Sequence, residues 1–117
     1  MIAGILLAGL LQAASYERAP IVAPDFDWLE RPTAKDAGRF YPKTTARRVD
    51  RLVVIECLVG RDGRLQQCRV FQAPATDDGE IAATLRMASK FRMSSRSKSG
   101  EPTAGRKVRI PFRWNAP

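Results

Sequence analysis

Cys57 and Cys68 are the two side chains of this sequence best placed to form a bond. They flank Gly60-Arg61-Asp62-Gly63, a turn carrying the Asp-Gly pair favoured in hairpins. Centring the turn on Asp62-Gly63 sets Cys57 opposite Cys68. In an exported chain such a facing pair reads as a disulfide; the alternative is two reduced thiols in contact. Closing a loop of ~10 residues would stabilise the fold by about 2–3 kcal/mol. The C-x-x-C spacing of redox-active pairs is absent, so redox catalysis is not expected.

Catalysis has less to work with. The 117 residues include no His, which removes the commonest general base and the commonest metal ligand together. Glu56, Asp62, Asp77, Asp78 and Glu80 are accounted for as strand surface, turn and helix cap. Ser94, Ser95, Ser97 and Ser99 stand in a polar loop without a base. Two Cys are too few for a zinc site built from Cys and His. We therefore expect no enzyme, no cofactor, no metal and no small-molecule substrate.

Charge is the other chemical signal. The net charge is +8, and all 20 Lys and Arg lie beyond residue 15. A solvated surface accounts for this most simply. The functional reading is attraction to an anionic envelope surface or an acidic partner. Nucleic acid would also be drawn to such a surface. No paired Cys/His zinc pattern, heptad array or aromatic RNA-binding signature accompanies the charge, so no nucleic-acid partner is expected.

The elements that must position these residues fit a single domain. Met1–Ala14 is an apolar run ending in small residues. It is shorter than the ~20 residues that span a bilayer and matches the core of a signal peptide. Export to the periplasm follows, with inner-membrane association if the leader is retained. Residues 15–32, with Pro20, Pro24 and Pro32, read as an extended arm tacked down by Phe26, Trp28 and Leu29. The domain proper is expected over residues 33–117. Thr33 with Asp36 looks like a helix N-cap, opening a short helix to about Phe40. Pro42 can begin a second helical turn through Lys43–Arg48.

Arg51–Val59 and Arg64–Phe71 read as the two strands of the hairpin. The turn-centred register also pairs Ile55 with Val70, Glu56 with Arg69 and Val59 with Gln66. One face then holds Val53, Ile55, Cys57, Val59, Cys68 and Val70, and the other sets a carboxylate against a guanidinium. Ile81, Leu85, Ala88 and Phe91 recur at helical spacing, predicting a helix over Glu80–Met93. Lys107–Trp114 alternates strictly, with Val108, Ile110, Phe112 and Trp114 on one side and Lys107, Arg109 and Arg113 on the other. Pro111 within it predicts an edge strand. The expected fold is α+β: a three-stranded antiparallel sheet in the order second-first-third, with helices packed on one face.

Tyr41-Pro42, the Val59-Gly60-Arg61-Asp62-Gly63-Arg64-Leu65 turn, Cys68-Arg69-Val70, Lys90-Phe91-Arg92-Met93, Gly100-Glu101-Pro102 and Val108–Trp114 follow one another in an order similar to that of the TonB C-terminal domain. The likeness covers about residues 40–114. Cys57 with Cys68, and Trp28-Leu29-x-x-Pro32, resemble a periplasmic subgroup of TonB-like proteins. The resemblance implies a TonB/TolA C-terminal-domain-like fold. It also implies binding by β-augmentation, in which an extended segment of an outer-membrane receptor type adds beside the last strand. Carried over, the partner-binding edge is Arg106, Lys107, Val108, Arg109, Ile110, Phe112, Arg113 and Trp114. The family's membrane helix with its His and the Pro-rich spacer have no counterpart here, so energy transduction is not expected. What remains is a periplasmic protein- or peptide-binding module, for which the resemblance implies a link to outer-membrane transport. The other expectation is an accessory envelope protein docking on anionic surfaces through its basic face. Dimerisation through edge strands stays open.

Overall fold

The computed structural model describes residues 18–41, 51–77 and 79–114. The leader, the turn through Lys43–Arg48 and Asp78 lie outside them. The elements are β1 (Trp28–Glu30), α1 (Ala34–Phe40), β2 (Arg51–Val59), β3 (Leu65–Gln72), α2 (Glu80–Met87), a 3-10 turn (Ala88–Lys90), β4 (Arg92–Met93) and β5 (Lys107–Trp114). The sheet runs β3-β2-β5 with both pairings antiparallel. This is the α+β arrangement, with the strand order, that the sequence pattern predicts.

β2 is central because it is apolar on both faces. Val53, Ile55, Cys57 and Val59 are buried on one side, where Val108 and Ile110 of β5 join them. β2 and β5 pair without interruption from Arg51↔Trp114 to Leu58↔Lys107. α2 packs on β2 over this face, and α1 packs against α2. α1 begins with the reciprocal cap expected of Thr33: its Oγ1 accepts the Asp36 N–H at 3.1 Å, while Asp36 accepts the Thr33 N–H at 3.0 Å.

The hairpin departs from the expected register at both ends, with Val54 facing Gln72 at the far one. Ile55↔Val70 and Glu56↔Arg69 are as predicted, but the pairs beyond are Leu58↔Gln66 and Val59↔Leu65. Val59 therefore faces Leu65 instead of Gln66. Gln67 takes φ +50, and Gln67 and Cys68 together oppose Cys57, a one-residue bulge. The cause is at the turn, where Gly63 has φ +85 and donates to the Gly60 carbonyl at 3.0 Å. A β-carbon on Gly63 would lie 2.2 Å from the Met93 carbonyl oxygen, so the β4 backbone needs a glycine there.

α2 stops at Met87, short of the expected Met93. Tertiary contacts override helical spacing here. Phe91 is extended, and its ring lies 4.7 Å from Trp28 and 5.6 Å from Phe112. Met93 then donates to Gly63, and Ser94 to Asp27. β4 pairs with β1 in a second, two-stranded sheet, so the arm is not irregular throughout. Leu29 does not tack it down, being exposed, whereas Phe26 and Trp28 pack on the core. The buried face of α2 is also rotated from the expected stripe. It presents Glu80, Ala83, Thr84 and Met87, leaving Ile81 and Leu85 at the flank.

Candidate functional site

The candidate site is the border formed by β5. Its even-numbered residues face β2 with their main-chain groups, as the bond from the Val59 N–H to the Arg106 carbonyl begins to show. Its odd-numbered residues turn theirs outward. The first of these are already engaged. Ile21 donates its N–H to the Lys107 carbonyl at 2.9 Å and accepts the Arg109 N–H at 3.0 Å, a parallel bridge centred on Val108. The Ile21 side chain is 2 % exposed and belongs to the core. Beyond this bridge, the carbonyls of Arg109 and Pro111 face outward, and Pro111 brings no donor.

The arm is held at several further points. Arg106 Nη2 donates to the Ala19 carbonyl at 2.7 Å, and Arg18 pairs with Glu101 at 2.6 Å. Ser99 donates to Asp25 through its N–H at 2.7 Å and its hydroxyl at 2.9 Å. Desolvation pushes the Asp25 carboxyl up, yet the two Ser99 bonds, the nearby Ser97 hydroxyl and the Arg106 charge together hold it below the ordinary range. Asp25, Ser99 and Ser97 form a hydrogen-bonded chain whose local part is a latch on the arm.

The residues expected at the edge divide among different tasks. Val108, Ile110 and Trp114 are core residues, and Phe112 is half-buried against Phe91. Arg106 precedes the strand and serves the turn and the arm. Lys107, Arg109 and Arg113 alternate onto the face away from α2. There Arg109 meets Glu56, which sequence reasoning had paired with Arg69 alone. Glu56 is 3 % exposed. Its carboxylate accepts from Arg109 Nε at 2.9 Å and from Arg69 Nη2 at 2.7 Å. The Arg109 bond, opposed by desolvation and aided by Arg69, holds the Glu56 carboxyl below its usual range. The Arg109 guanidinium also lies 3.7 Å from the Phe71 ring centre, a cation–π geometry.

The Sγ atoms of Cys57 and Cys68 are at disulfide distance, with their Cα atoms 4.1 Å apart. The bond ties β2 to β3 beside Glu56. Glu80, expected among the acids at the start of α2, opens that helix but is 1 % exposed and sits 3.8 Å from Arg51 Nε. Asp77 serves at the helix start as expected, accepting the Ile81 N–H at 3.0 Å. Asp62 stays in the turn and accepts from the Arg64 N–H. Among the described residues, no group of His, Cys, Asp and Glu is arranged to hold a metal, and no helix is long and apolar enough to cross a membrane.

The pairing of Glu56 with Arg109 had one legible trace: Arg109 lies on the polar side of an alternating strand. The local pattern does not give the strand's register against β2. No protein-family model matches the chain, and no curated protein or solved structure is similar enough to indicate a relative.

Proposed function

We propose that the chain is a non-catalytic binding module of the cell envelope, of the TonB C-terminal type. It takes an extended partner segment by strand addition at β5. The observation that supports this reading is that β5 borders the three-stranded sheet; the Ile21 bridge occupies the start of that border and counts against the full Arg106–Trp114 edge expected from the sequence, leaving the stretch from the Arg109 carbonyl onward. A partner segment continues the line of the arm, donating N–H groups to the outward carbonyls of Arg109 and Pro111. Main-chain bonds supply affinity in this mode and side-chain pockets supply choice. The Cys57–Cys68 pair is compatible with export, since such bonds persist in oxidising compartments.

The test compares capture of partners from an envelope extract by the full chain and two variants. Arg113→Pro removes an outward N–H, and Arg113→Gln removes the same side chain while keeping it. Strand addition expects the partner to be retained by Arg113→Gln and lost by Arg113→Pro at matched melting temperature. Identical capture by both variants would discard the reading. If Arg113→Pro lowers the melting temperature, protection of the Arg113 amide from hydrogen exchange in the wild-type complex decides instead. No added protection rejects strand addition.

A further inference from the structure

We infer that the open face of the sheet carries an anion-recognition site built from Arg69 and Arg109, and that its occupant is a carboxylate on an acidic, partly apolar segment of a partner protein. The register places Glu56 of the central strand level with Arg69 on one side and Arg109 on the other. One carboxylate thus holds two guanidinium groups, leaving a positive charge in excess. Each arginine uses a single nitrogen for Glu56: Nη2 of Arg69 and Nε of Arg109. Their remaining N–H groups have no partner among the described residues.

Burial of Glu56 gives this arrangement its rigidity. A carboxylate 3 % exposed bonds both cations, and the Phe71 ring supports Arg109 as well. Guanidinium forks arranged this way suit a planar, two-oxygen anion. Phe71 itself is 45 % exposed, and Leu52, Val54 and Leu58 are only partly covered on the same face. A bare anion would leave that apolar surface wet. A peptide that combines acidic and apolar side chains would cover both.

A membrane surface fits less well. It is recognised by a broad field of cations and by bulky side chains that insert, whereas here the two guanidinium groups flank one carboxylate. The inference uses side chains of the open face and stands whether or not a strand adds at β5.

The test is a titration of the full chain, followed through the arginine Nε–H signals in 1H–15N spectra. The probe is a short end-capped peptide alternating Asp with Phe and Leu. Its Asn counterpart, inorganic phosphate and phosphatidylglycerol vesicles form the other arms. The acidic peptide is expected to move the Arg69 and Arg109 signals. Arg69→Gln should weaken it about tenfold or more, with some loss of stability because Glu56 keeps only its Arg109 bond, so affinities are compared at a temperature where both proteins are fully folded. Arg109→Lys, which keeps the charge and loses the fork, should weaken it comparably. The inference is overturned by absent peptide binding, by equal binding of the Asn peptide, or by unchanged affinity in Arg69→Gln. It is also overturned if phosphate binds more tightly than the peptide, or if vesicles bind and the peptide does not.

Discussion

The indole N–H of Trp114 donates to the hydroxyl of Thr84 across 2.8 Å, joining the last strand to the middle of α2 in a buried space. Thr84 in turn donates to the Glu80 carbonyl at 2.7 Å. Through this chain a helix whose buried face includes a hydroxyl and a carboxylate stays seated on an apolar sheet. Buried donors need partners, and the asymmetry between making and breaking such a bond gives the first prediction.

Thr84→Val keeps the shape of the side chain and deletes the acceptor of Trp114. The loss of stability should be about 1–3 kcal/mol, read from urea unfolding at constant slope. Thr84→Ser, which keeps the hydroxyl, should lose less. Equal losses would show that packing, not the hydrogen bond, holds Trp114.

Glu56 makes the fold sensitive to acid. Its folded-state pKa lies below the ordinary 4.5, held there foremost by the Arg109 bond. A depressed carboxylate contributes stability that is fully present above the unfolded value and is lost as pH falls through the folded one. Unfolding midpoints should therefore be steady above that value and decline progressively below it. Glu56→Gln should lower stability at neutral pH and flatten the acid limb. An acid limb unchanged in Glu56→Gln would assign it to other carboxylates, of which Asp36, also held low by its Thr33 bonds, is one.

Removal of the cross-strand bond by a Cys57→Ala, Cys68→Ala double substitution should cost about 2–3 kcal/mol, the loop between the two being short. Thermal melting of the oxidised wild type, the reduced wild type and the double variant gives the comparison. If all three melt together, the link contributes nothing to the folded state.

Ile21→Ala should destabilise by about 2–5 kcal/mol, and Ile21→Val by about 0.5–1.5 kcal/mol, as for other large-to-small changes in a core. Hydrogen exchange at the Arg109 amide, which donates to Ile21, should quicken in the Ala variant. The Val59 amide, bonded to Arg106 inside the sheet, should change less. Uniform quickening would mean that the arm and the sheet open as one unit.

The local devices of this fold are plain in its sequence, and the distant ones are not. Asp62-Gly63 marks the hairpin, Thr33 with Asp36 marks a helix start, and the alternation of Lys107–Trp114 marks a half-buried strand. Each signal sits within a few residues of its effect. The bulge at Gln67 answers to a five-residue turn and not to the two-residue one that Asp-Gly suggests. The early end of α2 depends on Phe91 finding Trp28 and Phe112, and the burial of Glu80 depends on Arg51 coming opposite Trp114. Hydrophobic spacing alone put Phe91 on a helix because nothing nearby says otherwise. At the candidate site, the residue types were legible. The occupation of Lys107 and Arg109 by Ile21 was not, since a prolines-and-polars segment carries no pairing signal.

The bridge between Ile21 and β5 also joins the two ends of the described chain. Synthesis makes the arm among the first of the described segments and β5 the last of them, so Ile21 has no backbone to join until nearly all the rest exists. Closing so long a span is slow compared with forming the hairpin. During that interval, the border of β2 that β5 will occupy stays open, and Val53, Ile55 and Val59 are left without Val108 and Ile110 beside them. β5 thus lies between the earliest described segment and the centre of the sheet, and both of its pairings join residues far apart in the chain.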